Sequence, residues 1–160
     1  GRKVAEIANA FSINVIAYTP SGRKEAENVT FTDIDTVISS SDFITFHCPL
    51  TESTSKLVND EFIDKMKDGA SIINTARGGI IDEDAVSRAL KSGKLGYYAA
   101  DVFTVEPPKA DNPVINAPNT LITPHIAWAS YDTRVRLMGI LEENIASFIN
   151  GKPINIVNLQ

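Results

Sequence analysis

Short apolar runs of strand type alternate along this chain with segments whose apolar residues recur at helical spacing, and no other feature restricts its fold so strongly. The strand candidates are residues 13–18, 42–47, the run around Ile72 and Ile73, residues 95–102 and residues 120–123. Helical patterns lie between them: Val4, Ile7, Ala8 and Phe11; then Ile34, Val37 and Ile38; then Phe62, Ile63 and Met66 behind a cap at Asn59. Two more follow, Ala85 to Leu90 behind a cap at Asp82, and a long amphipathic stretch over 131–150 ending at Gly151. Gly69 and Gly93 are expected to close the two helices before them. Strands interleaved with helices in this way predict βαβ units, hence a doubly wound α/β domain with a parallel sheet covered on both faces. The proline-rich stretch over 104–118 is expected to be an irregular loop.

Composition narrows the function. With 160 residues the chain is one domain's worth, and 43% hydrophobic and 22% charged residues are ordinary for a globular protein. A net charge of −5 gives no electrostatic reason to propose nucleic acid. No run of 18 apolar residues exists and no signal-peptide pattern opens the sequence, so no membrane partner is expected. Cys48 is the one cysteine, which excludes an internal disulfide and points to a reducing, cytoplasmic setting. His47 and His125 are too few for a histidine-built zinc site, so no metal is expected.

Several polar residues fall just past predicted strand ends, where an open parallel sheet keeps its ligand crevice. His47 and Thr54 follow one strand, Arg77 another, Asp101 and Glu106 a third, His125 a fourth. Each alone has a plain reading: a turn arginine, a structural histidine, a solvated loop glutamate. Four loops delivering such groups to one edge favour a site. Arg77 offers a rigid donor fork suited to a carboxylate or phosphate, and Gly78-Gly79 after it let the backbone turn and approach something small. A histidine titrates near neutrality, and a carboxylate bonded to it would favour the imidazolium and fix its tautomer. Together these groups suit reduction of a 2-oxo acid, the arginine orienting it and the histidine protonating the nascent alkoxide. No nucleophile elbow, Walker lysine loop or paired-carboxylate pattern competes.

Asn74-Thr-Ala-Arg-Gly-Gly-Ile-Ile-Asp82, Asp101-Val-Phe-Thr-Val-Glu-Pro-Pro108 and Thr123-Pro-His-Ile-Ala-Trp128 resemble the signatures of the D-isomer-specific 2-hydroxyacid dehydrogenases. Phe46-His-Cys-Pro-Leu-Thr51 resembles the cofactor loop of the same family, so the likeness covers nearly the whole chain. It implies Arg77, Glu106 and His125 as the catalytic set, and Asp101 as the residue contacting the nicotinamide carboxamide. It implies Cys48, Pro49 and Thr54 on the adenosine and pyrophosphate side of the cofactor, Thr75 and Ala76 on its nicotinamide side, and His47 and Ala127 as further cofactor-binding residues. Gly1 resembles the last glycine of the family's dinucleotide loop, ahead of a helix that starts with four amides lacking partners. The resemblance therefore implies a partial NAD(P)-binding domain over 1–150, its first strand and first two loop glycines missing, and a tail over 151–160 reaching towards an absent substrate domain. Such a chain alone is expected to bind cofactor poorly.

At the end of the second strand the family's NAD-preferring members carry an acidic residue. Here Thr19, Ser21, Arg23 and Lys24 form a neutral-to-basic set that suits a 2′-phosphate, or simply a solvated turn. NAD or NADP is the expected cofactor, with a slight lean towards NADP being accepted. Ala127-Trp128 resembles the glycerate dehydrogenase and hydroxypyruvate reductase branch, which implies glycerate and hydroxypyruvate as the substrate pair and a homodimer formed through the cofactor domain. The alternative is a non-catalytic, dinucleotide-sensing protein on the same fold, similar to the family's corepressor relatives.

Overall fold

The computed structural model describes residues 1–20, 22 and 26–158. They form two compact units, Gly1–Pro124 and His125–Gln160, each described by itself. The first contains α1 (Arg2–Ala10), β1 (Val15–Ala17), β2 (Val29–Phe31), α2 (Ile34–Ser40), β3 (Phe43–Phe46), α3 (Asp60–Lys65) and β4 (Ala70–Asn74). A 3-10 turn (Gly78–Ile80), α4 (Glu83–Ser92), β5 (Leu95–Ala100) and β6 (Thr120–Ile122) complete it.

Every strand pairing is parallel, in agreement with the doubly wound reading, but the strands form two sheets: β1 with β2, and β3-β4-β5-β6 in that order. The four-stranded sheet is in step at its carboxyl end, where Phe46, Asn74, Ala100 and Ile122 are successive register partners. The residues that follow them, His47, Thr75, Asp101 and Thr123, therefore leave the sheet along one edge.

Alternation along the strands sends Ile44, Phe46, Ile72 and Tyr98 to one face, where they meet Ile38 of α2, Phe62 and Ile63 of α3, and Val86, Ala89 and Leu90 of α4. Burying each such large apolar side chain contributes about 1.5–3 kcal/mol. The other face departs from the expectation of a sheet covered on both sides. Phe43, Tyr97 and Leu121, all on that face, are 68%, 64% and 70% exposed. The physical reason is that α2, α3 and α4 lie in one layer, α3 touching both neighbours, so their apolar stripes all serve one face.

The helix starts follow the capping chemistry. The side chains of Asp33, Asn59 and Asp82 accept hydrogen bonds from Thr36, Phe62 and Ala85 backbone N–H groups, closing the first turns of α2, α3 and α4. Gly93 ends α4 in the left-handed conformation, with φ +80°. Gly69 plays a different part from the one expected: α3 already ends at Lys65, and Gly69, at φ +76°, belongs to the turn leading into β4.

In the second unit, α5 (Tyr131–Ile149) is capped by Ser130, whose hydroxyl accepts from Thr133 N–H. None of its residues is buried within the chain, and Val135, Leu137, Met138, Ile140, Leu141 and Phe148 are exposed. Among the described residues no helix is long and apolar enough to cross a membrane.

Candidate functional site

The carboxyl edge of the sheet holds a depression of about 370 Å³ lined by Gly1, His47, Cys48, Pro49, Thr75, Ala76 and Arg77. Seven of the expected site residues, from three separate stretches of sequence, thus share one wall. Gly1 stands at the start of α1, which has no side-chain cap and no acidic residue in its first turn, so its amide end opens at the depression with its partial positive charge uncompensated. A Cβ on Gly1 would already touch the His47 ring at 3.5 Å. The Nε2 of His47 lies 3.1 Å from the Thr45 hydroxyl. Partial burial holds His47 below the ordinary histidine value. Burial pushes the Cys48 thiol up, so at neutral pH it is a neutral wall of the cleft and not a nucleophile.

Thr54 does not line the depression. Its hydroxyl donates to the carbonyl of Pro49 at 2.8 Å and accepts from the Thr51 N–H at 2.8 Å, so it folds the 48–54 loop back under the residues that do.

Arg77 follows β4 by three residues, in extended conformation, and its guanidinium is exposed, donating to the Ala76 carbonyl at 2.8 Å. Gly78 behind it is buried, and any Cβ there would collide with the backbone of Phe103 and Thr104. The arginine turn and the loop that carries Glu106 are therefore in direct backbone contact, which only glycine allows. Glu106 Oε1 accepts the Phe103 N–H at 2.9 Å, and Glu83, at the head of α4, accepts from Thr104 N–H and from the Asn112 amide. These bonds give the proline-rich segment a defined course despite its lack of regular structure.

Asp101 is 5% exposed and receives a hydrogen bond from the Thr123 hydroxyl, which joins the ends of β5 and β6. Thr19 follows β1, its carbonyl accepting from Gly22 N–H at 3.4 Å. Ser21, Arg23 and Lys24, the remainder of the set read as suited to a 2′-phosphate, lie outside the described residues. His125 and Ala127 open the second unit. His125 has a left-handed backbone, φ +54°, and its carbonyl accepts from the Trp128 indole N–H at 2.8 Å. Among the described residues no group of three or more histidine, cysteine or acidic side chains could hold a metal ion.

Two contributors escaped the sequence reading. Glu83 and Asn74 both act through loop backbone. Asn74 had a legible signal, a polar side chain two residues after Ile72 and hence on the buried face of an apolar strand.

Residues 1–127 match the NAD-binding domain of the D-isomer-specific 2-hydroxyacid dehydrogenases. The chain belongs to that family. It is 43% identical over 160 residues to a hydroxypyruvate reductase of Blautia hydrogenotrophica, covering 99% of this chain and 50% of the relative. Among solved structures, it resembles an acyclic imino acid reductase in complex with NADPH and D-Arg, at 37% identity and TM-score 0.89, covering 98% of this chain and 50% of that one. A further similar structure is the NAD-dependent formate dehydrogenase from Staphylococcus aureus in complex with NAD, at 32% identity and TM-score 0.87, covering 95% and 46%. The chain thus spans about half the length of these relatives. Its nicotinamide cofactor domain is of a kind found with either NAD or NADPH, and the amide end of α1, the glycine beside it and the neutral walls at Cys48, Pro49 and Ala76 fit a dinucleotide.

Proposed function

We propose that this chain is the cofactor-binding part of an oxidoreductase that interconverts small D-2-hydroxy acids and 2-oxo acids, with glycerate and hydroxypyruvate as the substrate pair. The observation that supports this best is the depression itself. It is lined by Arg77 together with Thr75, Ala76, Cys48 and Pro49, which we assign to the cofactor, and the arginine turn is backed by the Glu106 loop. When bound, the nicotinamide supplies or accepts the hydride. Arg77 clamps the substrate carboxylate and polarises the neighbouring carbonyl. His125 is assigned the proton donated to the nascent alkoxide oxygen, and Glu106 the carboxylate that favours the imidazolium. Asp101, Thr19, Ser21 and Arg23 are assigned to the cofactor. In the full-length protein, His125→Gln should lower hydroxypyruvate reduction by at least about 10²-fold. Unchanged turnover would remove the histidine from the mechanism and favour a dinucleotide-sensing role.

The polarity of the turn after β1 supports acceptance of NADPH. A kcat/KM strongly in favour of NADH would refute that part. The sheet edges at β1 and β3 support a further parallel strand from a longer polypeptide, paired with both and leading through a glycine turn into α1. Tight dinucleotide binding by residues 1–160 alone, read by isothermal titration, would contradict it. The exposed apolar side of α5 supports a homodimer, to be tested by light scattering on the full-length protein, where a monomer at micromolar concentration would refute it. A single thiol kept protonated suits work in the reducing cytoplasm; export of the full-length protein to the medium in a fractionation experiment would contradict this.

A further inference from the structure

Asn74 ends β4 with its side chain wholly buried. A carboxamide sealed from water has to find partners for both its donor and its acceptor, and here it finds them on the turn that carries Arg77. Its Nδ2 donates to the Arg77 carbonyl at 2.9 Å, and its Oδ1 accepts the Ala76 N–H at 3.1 Å. Its own backbone carbonyl accepts from Asp101 N–H at 3.0 Å. One residue therefore holds the backbone on both sides of the Ala76–Arg77 peptide bond, at the Ala76 N–H and at the Arg77 carbonyl, and anchors that grip to the strand that delivers Asp101.

We propose that Asn74 is the positioning residue of Arg77, fixing the turn so that the exposed guanidinium meets a substrate carboxylate in one prepared orientation. The proposal rests on the reading of Arg77 as the carboxylate clamp. The chemistry explains the residue type. The turn offers a carbonyl and an N–H side by side, and only a carboxamide answers both. An aspartate keeps the bond to Ala76 but sets an acceptor against the Arg77 carbonyl. An alanine answers neither. A glutamine is longer by one methylene in a site with no room for it. With the grip lost, the guanidinium samples several orientations and substrate binding bears the cost of ordering it.

The test uses the full-length protein with hydroxypyruvate and saturating cofactor. Asn74→Ala and Asn74→Asp should each raise the KM for the 2-oxo acid by about tenfold or more, with cofactor Kd changed far less. Measured in an Arg77→Ala background, the same substitutions should add little, because a residue that acts through the arginine has nothing left to position. Wild-type KM in both asparagine variants, or a full additional loss in the Arg77→Ala background, would overturn the proposal. If Arg77→Ala itself leaves KM unchanged, the clamp reading fails, and that outcome is separate from a failure confined to Asn74. Failure of both asparagine variants to fold would assign Asn74 to the fold alone and would also overturn the proposal.

Discussion

Gly78→Ala is the change the structure judges most severely, and Gly79→Ala is its internal control. Gly78 is buried at the start of the 3-10 turn, and its φ is not in the left-handed region, so backbone conformation raises no objection to alanine. Space does. The new methyl would fall on the main-chain atoms of Phe103 and Thr104, which belong to a backbone and cannot swing aside as a side chain can. At Gly79 the nearest atom is the Cδ2 of Leu50, 2.9 Å away, on an exposed side-chain end with room to rotate. Relief at Gly78 requires the arginine turn and the Glu106 loop to part by about 1 Å or more, since carbon atoms rest at about 3.5–4.0 Å. Overpacking of this kind costs about 1–3 kcal/mol. For a chain of this size each kcal/mol lowers Tm by about 2–4 °C, so a fall of about 2–12 °C is expected by circular dichroism. A displacement of about 1 Å at a reacting geometry costs about 10²-fold, so kcat/KM of the full-length protein should fall by that order. Gly79→Ala should stay within about 2 °C and threefold. A Gly78→Ala protein with wild-type Tm and activity would show that the two backbones are not in contact and would refute the reasoning.

Gly93→Ala tests the opposite kind of glycine: its Cβ would meet open space, but at φ +80° it should lose about 1 kcal/mol in urea unfolding with catalysis intact. Asp82→Ala removes the cap of α4 and the partner of Lys56, and should cost about 0.5–2 kcal/mol in the same assay. Burial opposes ionisation of Asp82, but the Ala85 N–H bond and Lys56 outweigh it and hold the carboxyl below its ordinary value of 3.8. Its contribution is therefore present above about pH 4 and lost as pH falls through the lowered folded value. An Asp82→Asn protein whose acid-unfolding curve overlays the wild type would contradict that.

The elements legible in the sequence were those whose local chemistry agrees with their burial. Asn59 and Asp82 cap helices because their side chains reach N–H groups three residues on, and Ile72 lies in a short apolar run that forms a buried strand. The strand Val29–Phe31 was not legible. Three residues carry no period, and only pairing with Val15–Ala17 makes them a strand. Ile13, 54% exposed, has no partner in that pairing, so β1 is shorter than its apolar run. At the other end, β5 stops at Ala100: the bond from Asp101 N–H to the Asn74 carbonyl is the last rung of its ladder with β4, and Val102 beyond it is buried but irregular. Arg77, Cys48 and Thr75 could be brought to one edge by topology alone, since parallel strands in step deliver their successors together. The roles of Gly78, Glu83 and Asn74 could not, because each depends on which loop backbone lies against it.

The contact between Gly78 and the Phe103–Thr104 backbone also bears on how such a cleft can diversify. Two loops joined main chain to main chain tolerate neither insertion nor a new side chain at their junction. Arg77 and the start of the Glu106 loop therefore vary together or not at all. The 48–54 loop, held by the Thr54 hydroxyl between the Pro49 carbonyl and the Thr51 N–H, carries no such restriction. New substrate preferences on this scaffold would arise by rebuilding what faces the arginine turn, while the turn itself is inherited as a single fixed part.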